Sequence, residues 1–195
     1  MKILCLYNNN CAIRLFSWLE KQGNECFYWT EEIDTTWIRR QQFDLVVSYT
    51  YSKIIKAEVI SILKGNIVNL HTSYLPFNRG VDPNMWSLID GTPRGVTLHY
   101  IDEKLDSGFV IAQTLTEEID FNTATLRTTY NQLDDAAFKL FKEAFKNYQY
   151  WNEMKKKVIG KGTYHTDKQG VVLREHITTF DMSVLDFLQD VKNLK

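Results

Sequence analysis

Asn69 and His71 stand two residues apart in the stretch Asn69-Leu70-His71-Thr72-Ser73-Tyr74-Leu75-Pro76-Phe77-Asn78-Arg79-Gly80. The apolar pair Ile67-Val68 before them reads as the end of a buried strand. On a strand, side chains two apart share one face. A neutral amide donor beside an imidazole is suited to holding a carbonyl while its oxygen becomes an anion. Pro76 stops the strand, and Gly80 permits a sharp or left-handed turn. Taken alone, the pair fits a strand end with a polar cap as well as it fits a catalytic site. Asp106 shifts that balance. It lies in the polar loop Asp102-Glu103-Lys104-Leu105-Asp106-Ser107-Gly108, between two apolar runs.

Asn-x-His, then Ser-x-Leu-Pro, then a later Asp-x-Gly loop resembles the signature of the folate-dependent formyltransferases. The resemblance covers residues 43–113, and its second stretch narrows it. Pro76-Phe77-Asn78-Arg79-Gly80 followed by Pro83-Asn84-x-Trp86-Ser87 is most similar to the enzymes that formylate nucleotide-linked amino sugars. Thr72 and Tyr74 depart from the family pattern, where Pro and Leu are usual, but neither is one of the three chemical residues.

The resemblance implies an α/β fold, a Rossmann-like, mostly parallel sheet flanked by helices. It implies Asn69, His71 and Asp106 as catalytic groups and 10-formyltetrahydrofolate as donor. The family binds its pterin in segments that correspond here to residues 47–51 and 102–108, so Tyr49, Asp102 and Gly108 are the expected folate contacts. Each segment also reads as an ordinary connecting loop. The expected acceptor is a nucleotide-linked amino sugar, with dTDP as the nucleotide. Asn78, Arg79, Asn84 and Trp86, just beyond the catalytic strand, are the expected acceptor contacts. Arg79 suits a diphosphate, and Trp86 suits a base or sugar face. The plainer readings are a surface arginine and a core tryptophan.

The chemistry follows from the groups. An unprotonated amine attacks a formyl carbon, and the tetrahedral intermediate carries an oxyanion and a developing ammonium. Asn69 can donate to the oxyanion. His71 can stabilise the same oxygen or hold a proton in transit. Asp106, if it reaches His71, would set its tautomer and accept the amine proton through water. Nothing in this scheme requires a metal.

Composition is ordinary for a soluble domain, at 44% hydrophobic and 24% charged residues. A net charge of -1 argues against general nucleic-acid binding. No apolar run approaches the ~20 residues of a membrane span. Residues 1–7 read as a first strand rather than a signal peptide. Three cysteines without paired spacing fit a reducing cytoplasm.

Along the chain, strands are expected at residues 2–7, 25–30, 43–49, 66–74, 95–101 and 109–119, with the fifth half-buried. Helices are expected over residues 12–22, 33–42 with Trp37 inward, 52–64 capped by Ser52, and 83–90 with Asp82 as cap and Pro83 first. A long helix capped by Asn122 or Thr123 should run to residue 148. Its stripe is Leu126, Tyr130, Leu133, Ala137, Leu140, Ala144 and Tyr148. The turn after the first strand lacks Gly-x-Gly-x-x-Gly, which argues against a dinucleotide site.

Residues 1–150 are expected to form the catalytic domain. Residues 151–195 read as an extension with turns at Gly160-x-Gly162 and Gly170, a β-hairpin over 162–173 and a closing helix over 184–194, not as an independent domain. That hairpin makes a homodimer plausible. His99 reads as a structural histidine, His165 as a residue near substrate or a second subunit, and His176 stays unassigned. Competing readings are formylation of another small amine, hydrolysis of the formyl-folate, and a silent folate- or nucleotide-binding module.

Overall fold

The computed structural model describes residues 1–192. Its order is β1 (Lys2–Leu6), α1 (Ala12–Lys21), β2 (Glu25–Trp29), α2 (Thr35–Gln41), β3 (Leu45–Tyr49), α3 (Ala57–Ile62), β4 (Ile67–His71) and β5 (Arg79–Gly80). There follow α4 (Pro83–Asp90), β6 (Gly95–Tyr100), β7 (Val110–Leu115) and α5 (Leu126–Phe145). The chain ends with α6 (Trp151–Met154), β8 (Tyr164–His165), α7 (Asp167–Arg174) and α8 (Val184–Asp190).

The main sheet has the order β2-β1-β3-β4-β6-β7. The first four strands are parallel, and β6 and β7 join antiparallel. The expected α/β architecture with a mostly parallel sheet is therefore borne out. Alternation along the central strands sorts two cores. Val47, Tyr49, Val68, Leu70 and Leu98 lie with Phe16, Leu133 and Phe141 of α1 and α5. Leu4, Val46 and Ile67 lie on the other face with Ile38 and Val59 of α2 and α3. A third cluster joins Trp86 and Ile89 of α4 to Leu126, Leu173 and Phe187, and so ties α7 and α8 to α4.

Several expectations need correction. No hairpin spans residues 162–173. Tyr164–His165 instead forms a short parallel pair with Arg79–Gly80, and a helix follows. Gly170 is not a turn residue. It lies inside α7, where an added Cβ would stand 2.6 Å from both Asp82 Oδ2 and Val81 Cγ2. The helix start is marked by a reciprocal cap between Thr166 and Gln169.

The long helix is capped by Thr125, not by Asn122 or Thr123, and it ends at Phe145. Phe141 belongs to its buried face, whereas Tyr130 and Leu140 are only half-buried. Ser52 does not cap α3, which starts at Ala57; its hydroxyl donates to Asn8 instead. Asp82 precedes Pro83 as expected, yet its carboxylate accepts from Arg174 rather than from the helix backbone. Trp37 is half-buried and stacks on Trp29, while Ile38 fills the core. β6 is buried on both faces, because α5 covers one and the loop after β4, together with Asp106, covers the other. The end of the expected closing helix, residues 193–194, lies outside the described residues.

Candidate active site

Strand parity builds the site. Asn69 and His71 leave β4 on the face opposite Val68 and Leu70, which face α5. In register with them on β6 are His99, opposite Asn69, and Thr97, opposite His71. Thr97 in turn pairs with Gln113 of β7. A polar stripe therefore crosses three neighbouring strands, and it also organises the loop after β4. Thr97 Oγ1 donates to the Ser73 carbonyl at 2.8 Å and accepts from the Leu75 amide at 3.2 Å. Gln113 Nε2 donates to the Leu75 carbonyl at 3.1 Å.

Asp106 closes the arrangement from the loop between β6 and β7. Its Oδ2 lies 3.6 Å from His71 Nε2, and its Oδ1 lies 3.6 Å from His99 Nε2. Asn69 Nδ2 stands 3.5 Å from Asp106 Oδ1 and 3.3 Å from His99 Nε2. The Gly80 amide donates to Asp106 Oδ2 at 2.9 Å. Asp106 is 9% exposed, His71 7% and His99 1%; Asn69 is half-buried.

The electrostatics favour an ionised carboxylate. Burial works against the charge on Asp106, but His71, His99 and the Gly80 amide outweigh it and hold the carboxyl well below the usual carboxylate range. The backbone carbonyls assign the tautomers. His71 Nε2–H donates to the Asn78 carbonyl at 3.1 Å, and His99 Nδ1–H donates to the Tyr100 carbonyl at 2.9 Å. His99 Nε2 then stands against both the Asn69 amide and the Asp106 carboxylate.

The turn geometry is unusual where the site needs it. Asn78, Asp82 and Asp106 have φ of 51°, 52° and 49°. Asn and Asp are the non-glycine residues best suited to that left-handed region. Asp102 shapes the Asp106 loop, since its Oδ1 accepts from the Lys104 amide at 3.1 Å and from the Ser107 hydroxyl at 2.8 Å. Gly108 lets the loop return closely, because a Cβ there would meet the Tyr100 carbonyl oxygen at 1.8 Å.

The expected acceptor and folate residues occupy varied positions. Tyr49 is in register with Leu70, so its ring points away from Asn69 and its hydroxyl donates to Asp134 of α5. Its ring is part of the core beneath α5. Asn78 is buried, and its amide group donates to Thr92 and accepts from Thr163. Asn84 is buried against Arg94 and Thr129. Trp86 is 5% exposed, with its ring stacked on His165 at 4.0 Å. In this structure these three form the floor beneath the loop and present no free face. Arg79 is half-buried; its Nε has no partner, and its side chain makes no ion pair among the described residues.

Sequence reasoning missed the active-site placement of His99 and the Gly80 amide. The signal for His99 was its alternation with Thr97, which becomes informative once β6 is paired with β4. The Gly80 amide left no signal, because backbone groups carry no residue type.

The formyl transferase family profile matches residues 25–145, more than half of the chain. The chain belongs to the formyl transferase family. The family resemblance carried by Asn69, His71 and Asp106 is therefore borne out. Methionyl-tRNA formyltransferase of Fusobacterium nucleatum is 45% identical over 87 residues, which is 44% of this chain and 28% of that protein. The dTDP-4-amino-4,6-dideoxyglucose formyltransferase of Mycobacterium bovis is 41% identical over 73 residues, 37% of this chain and 30% of that protein. The matches thus span less than a third of the length of these two relatives. The formyltransferase PseJ of Anoxybacillus kamchatkensis was solved with UDP-4,6-dideoxy-4-formamido-L-AltNAc and tetrahydrofolate. It is 32% identical, superposes with a TM-score of 0.84, and the match covers 97% of this chain and 99% of that one. Among the described residues, no helix is long and apolar enough to cross a membrane.

Proposed function

We propose that this formyl transferase moves a formyl group from 10-formyltetrahydrofolate to the C4 amine of a nucleotide-linked 4-amino-4,6-dideoxy sugar. The observation that carries the reading is the convergence of Asn69, His71 and His99 on the buried Asp106 carboxylate beside β4. Two relatives narrow the acceptor. The PseJ complex holds a 4-formamido sugar nucleotide, and the mycobacterial enzyme is named for a 4-amino sugar nucleotide. They differ in the base, UDP in one and dTDP in the other. The dTDP form is the first acceptor to try and the UDP form the second.

In this reading the amine nitrogen adds to the formyl carbon and the carbonyl electrons move to oxygen. Asn69, half-buried at the middle of β4, turns an amide N–H from its neighbours to that oxyanion. His71 stabilises the same oxygen or carries the proton. Asp106 is ionised and draws the amine proton through water. The carbon–N10 bond then breaks, N10 takes a proton, and tetrahydrofolate and the formamido sugar leave. Arg79, whose side chain carries no ion pair among the described residues, supplies a planar donor fork to the diphosphate.

The test is an acceptor panel with 10-formyltetrahydrofolate, read by mass spectrometry. It holds dTDP- and UDP-linked 4-amino sugars, a 3-amino sugar nucleotide, and methionyl-tRNA, which the Fusobacterium relative brings in. Gain of one formyl group on a 4-amino sugar nucleotide is expected. Formylation of methionyl-tRNA alone would replace this reading, and formate release without any acceptor would point to hydrolysis.

A further inference from the structure

We infer that Thr163, beyond the end of the family match, is a positioning residue for the catalytic histidine and carboxylate. The inference rests on the formyl-transfer reading of the site.

Thr163 sits in the strand-like segment that returns to cover residues 78–81. Its hydroxyl accepts from the Asn78 backbone amide at 2.7 Å and donates to Asn78 Oδ1 at 3.0 Å. Its carbonyl accepts from the Arg79 amide at 3.1 Å. Three hydrogen bonds from one residue thus fix Asn78 and the start of β5. Asn78 is held at φ of 51°, a conformation that needs outside support.

What Asn78 and its neighbour do explains why that matters. The Asn78 carbonyl accepts from His71 Nε2 at 3.1 Å and so sets the imidazole tautomer and rotation. Two residues later, the Gly80 amide donates to Asp106 Oδ2. Thr163 touches neither the imidazole nor the carboxylate, yet both take their orientation from the turn that it clamps.

The approach of this segment is built into two glycines. A Cβ on Gly162 would lie 1.7 Å from the Pro76 carbonyl oxygen, and one on Gly80 would lie 2.1 Å from the His165 carbonyl oxygen. Each backbone therefore runs directly against the other. His165 anchors the far end, its Nε2 2.9 Å from Asp90 Oδ2 and its ring stacked on Trp86. The segment is tethered on both sides of Thr163, so loss of the hydroxyl should loosen the turn without releasing the segment.

The test compares the parent with Thr163→Val, which keeps the shape and removes the hydroxyl, and with Thr163→Ser, which keeps the hydroxyl. Two readouts are taken: formyl transfer to the best acceptor of the panel, and the imidazole nitrogen shifts of His71 in histidine-labelled protein, assigned by His71→Gln. Thr163→Val is expected to lower kcat on the order of 10- to 100-fold with KM for the donor little changed, as a small misplacement does. The His71 shifts should move in the same variant, and Thr163→Ser should restore both. Unaltered kcat and His71 shifts in a folded Thr163→Val protein would overturn the inference, as would a Thr163→Ser protein as impaired as the valine variant. A parent inactive on every acceptor, with His71 shifts that still move in Thr163→Val and return in Thr163→Ser, would leave the positioning role standing and reject formyl transfer.

Discussion

Asn69 and His99 face each other across the antiparallel pairing of β4 and β6, with Asn69 Nδ2 3.3 Å from His99 Nε2. Because the Tyr100 carbonyl accepts from the other imidazole nitrogen, the His99 ring that stands against the amide is fixed in rotation. The amide is thereby oriented before any ligand arrives. Asn69→Ala should lower kcat about 10²- to 10³-fold, the range for a lost oxyanion donor. His99→Ala should lower kcat by less, since the donor stays and only its orientation loosens. Steady-state kinetics on the two variants would check this. A His99 variant worse than Asn69→Ala would mean that His99 acts on the substrate itself.

Asp106 links activity to acid stability. Its carboxyl lies well below the ordinary carboxylate range in the folded protein, with burial opposing the charge and His71, His99 and Gly80 favouring it. A depressed folded value contributes stability above the unfolded carboxylate range, and that contribution is lost as pH falls through the folded value. The gap in unfolding free energy between the parent and Asp106→Asn should therefore be widest near neutral pH and narrow on acidification. Denaturant titrations from neutral pH to pH about 3 would measure it. A gap that stays constant with pH would contradict the assigned charge state. At neutral pH, Asp106→Asn should also lower kcat about 10²- to 10⁴-fold, as for a lost general base.

Gly80→Ala separates conformational strain from steric contact. Gly80 has φ of 93°, and its Cβ would strike the His165 carbonyl oxygen. Gly65 has φ of 81° with nothing within 4 Å of such a Cβ. Gly65→Ala should cost about 1 kcal/mol from left-handed strain alone, and Gly80→Ala several times as much. Urea midpoints compare the two directly. Equal losses would mean that β5 and β8 can part freely.

Tyr49→Phe distinguishes core from cofactor site. The ring lies under α5 with its hydroxyl on Asp134, so the variant should lose about 1–2 kcal/mol of stability and leave KM for the folate donor unaltered. A raised KM with normal stability would return Tyr49 to the folate site.

Arg79→Lys should raise KM for the sugar nucleotide with kcat nearly unchanged, because a lysine cannot make the planar two-point contact. Inhibition by the free nucleoside diphosphate should weaken in parallel. Unchanged inhibition would remove Arg79 from the acceptor site.

Much of the main sheet was legible because its central strands are short apolar runs bounded by turn residues, as at Leu45-Val46-Val47 and Ile67-Val68. The Asn69, His71 and Asp106 set was legible because side-chain type and spacing carry it. Burial of β6 was not, since Thr97 and His99 look like a solvent face until a second layer covers them. The pairing of Arg79–Gly80 with Tyr164–His165 joins two-residue segments some 85 positions apart and has no local pattern. Gly170 misled because glycine signals both a turn and a tight helix contact, while Thr166 and Gln169 nearby already marked a helix start.

In β4 the alternation of Ile67, Val68, Asn69, Leu70 and His71 assigns lining and chemistry by odd and even position. A slip of one residue against β3 and β6 would turn the amide and imidazole into the greasy layer beneath α5 and send Val68 and Leu70 out in their place. A misaligned molecule would thus fail at packing and at turnover together, and correct assembly of this strand certifies both.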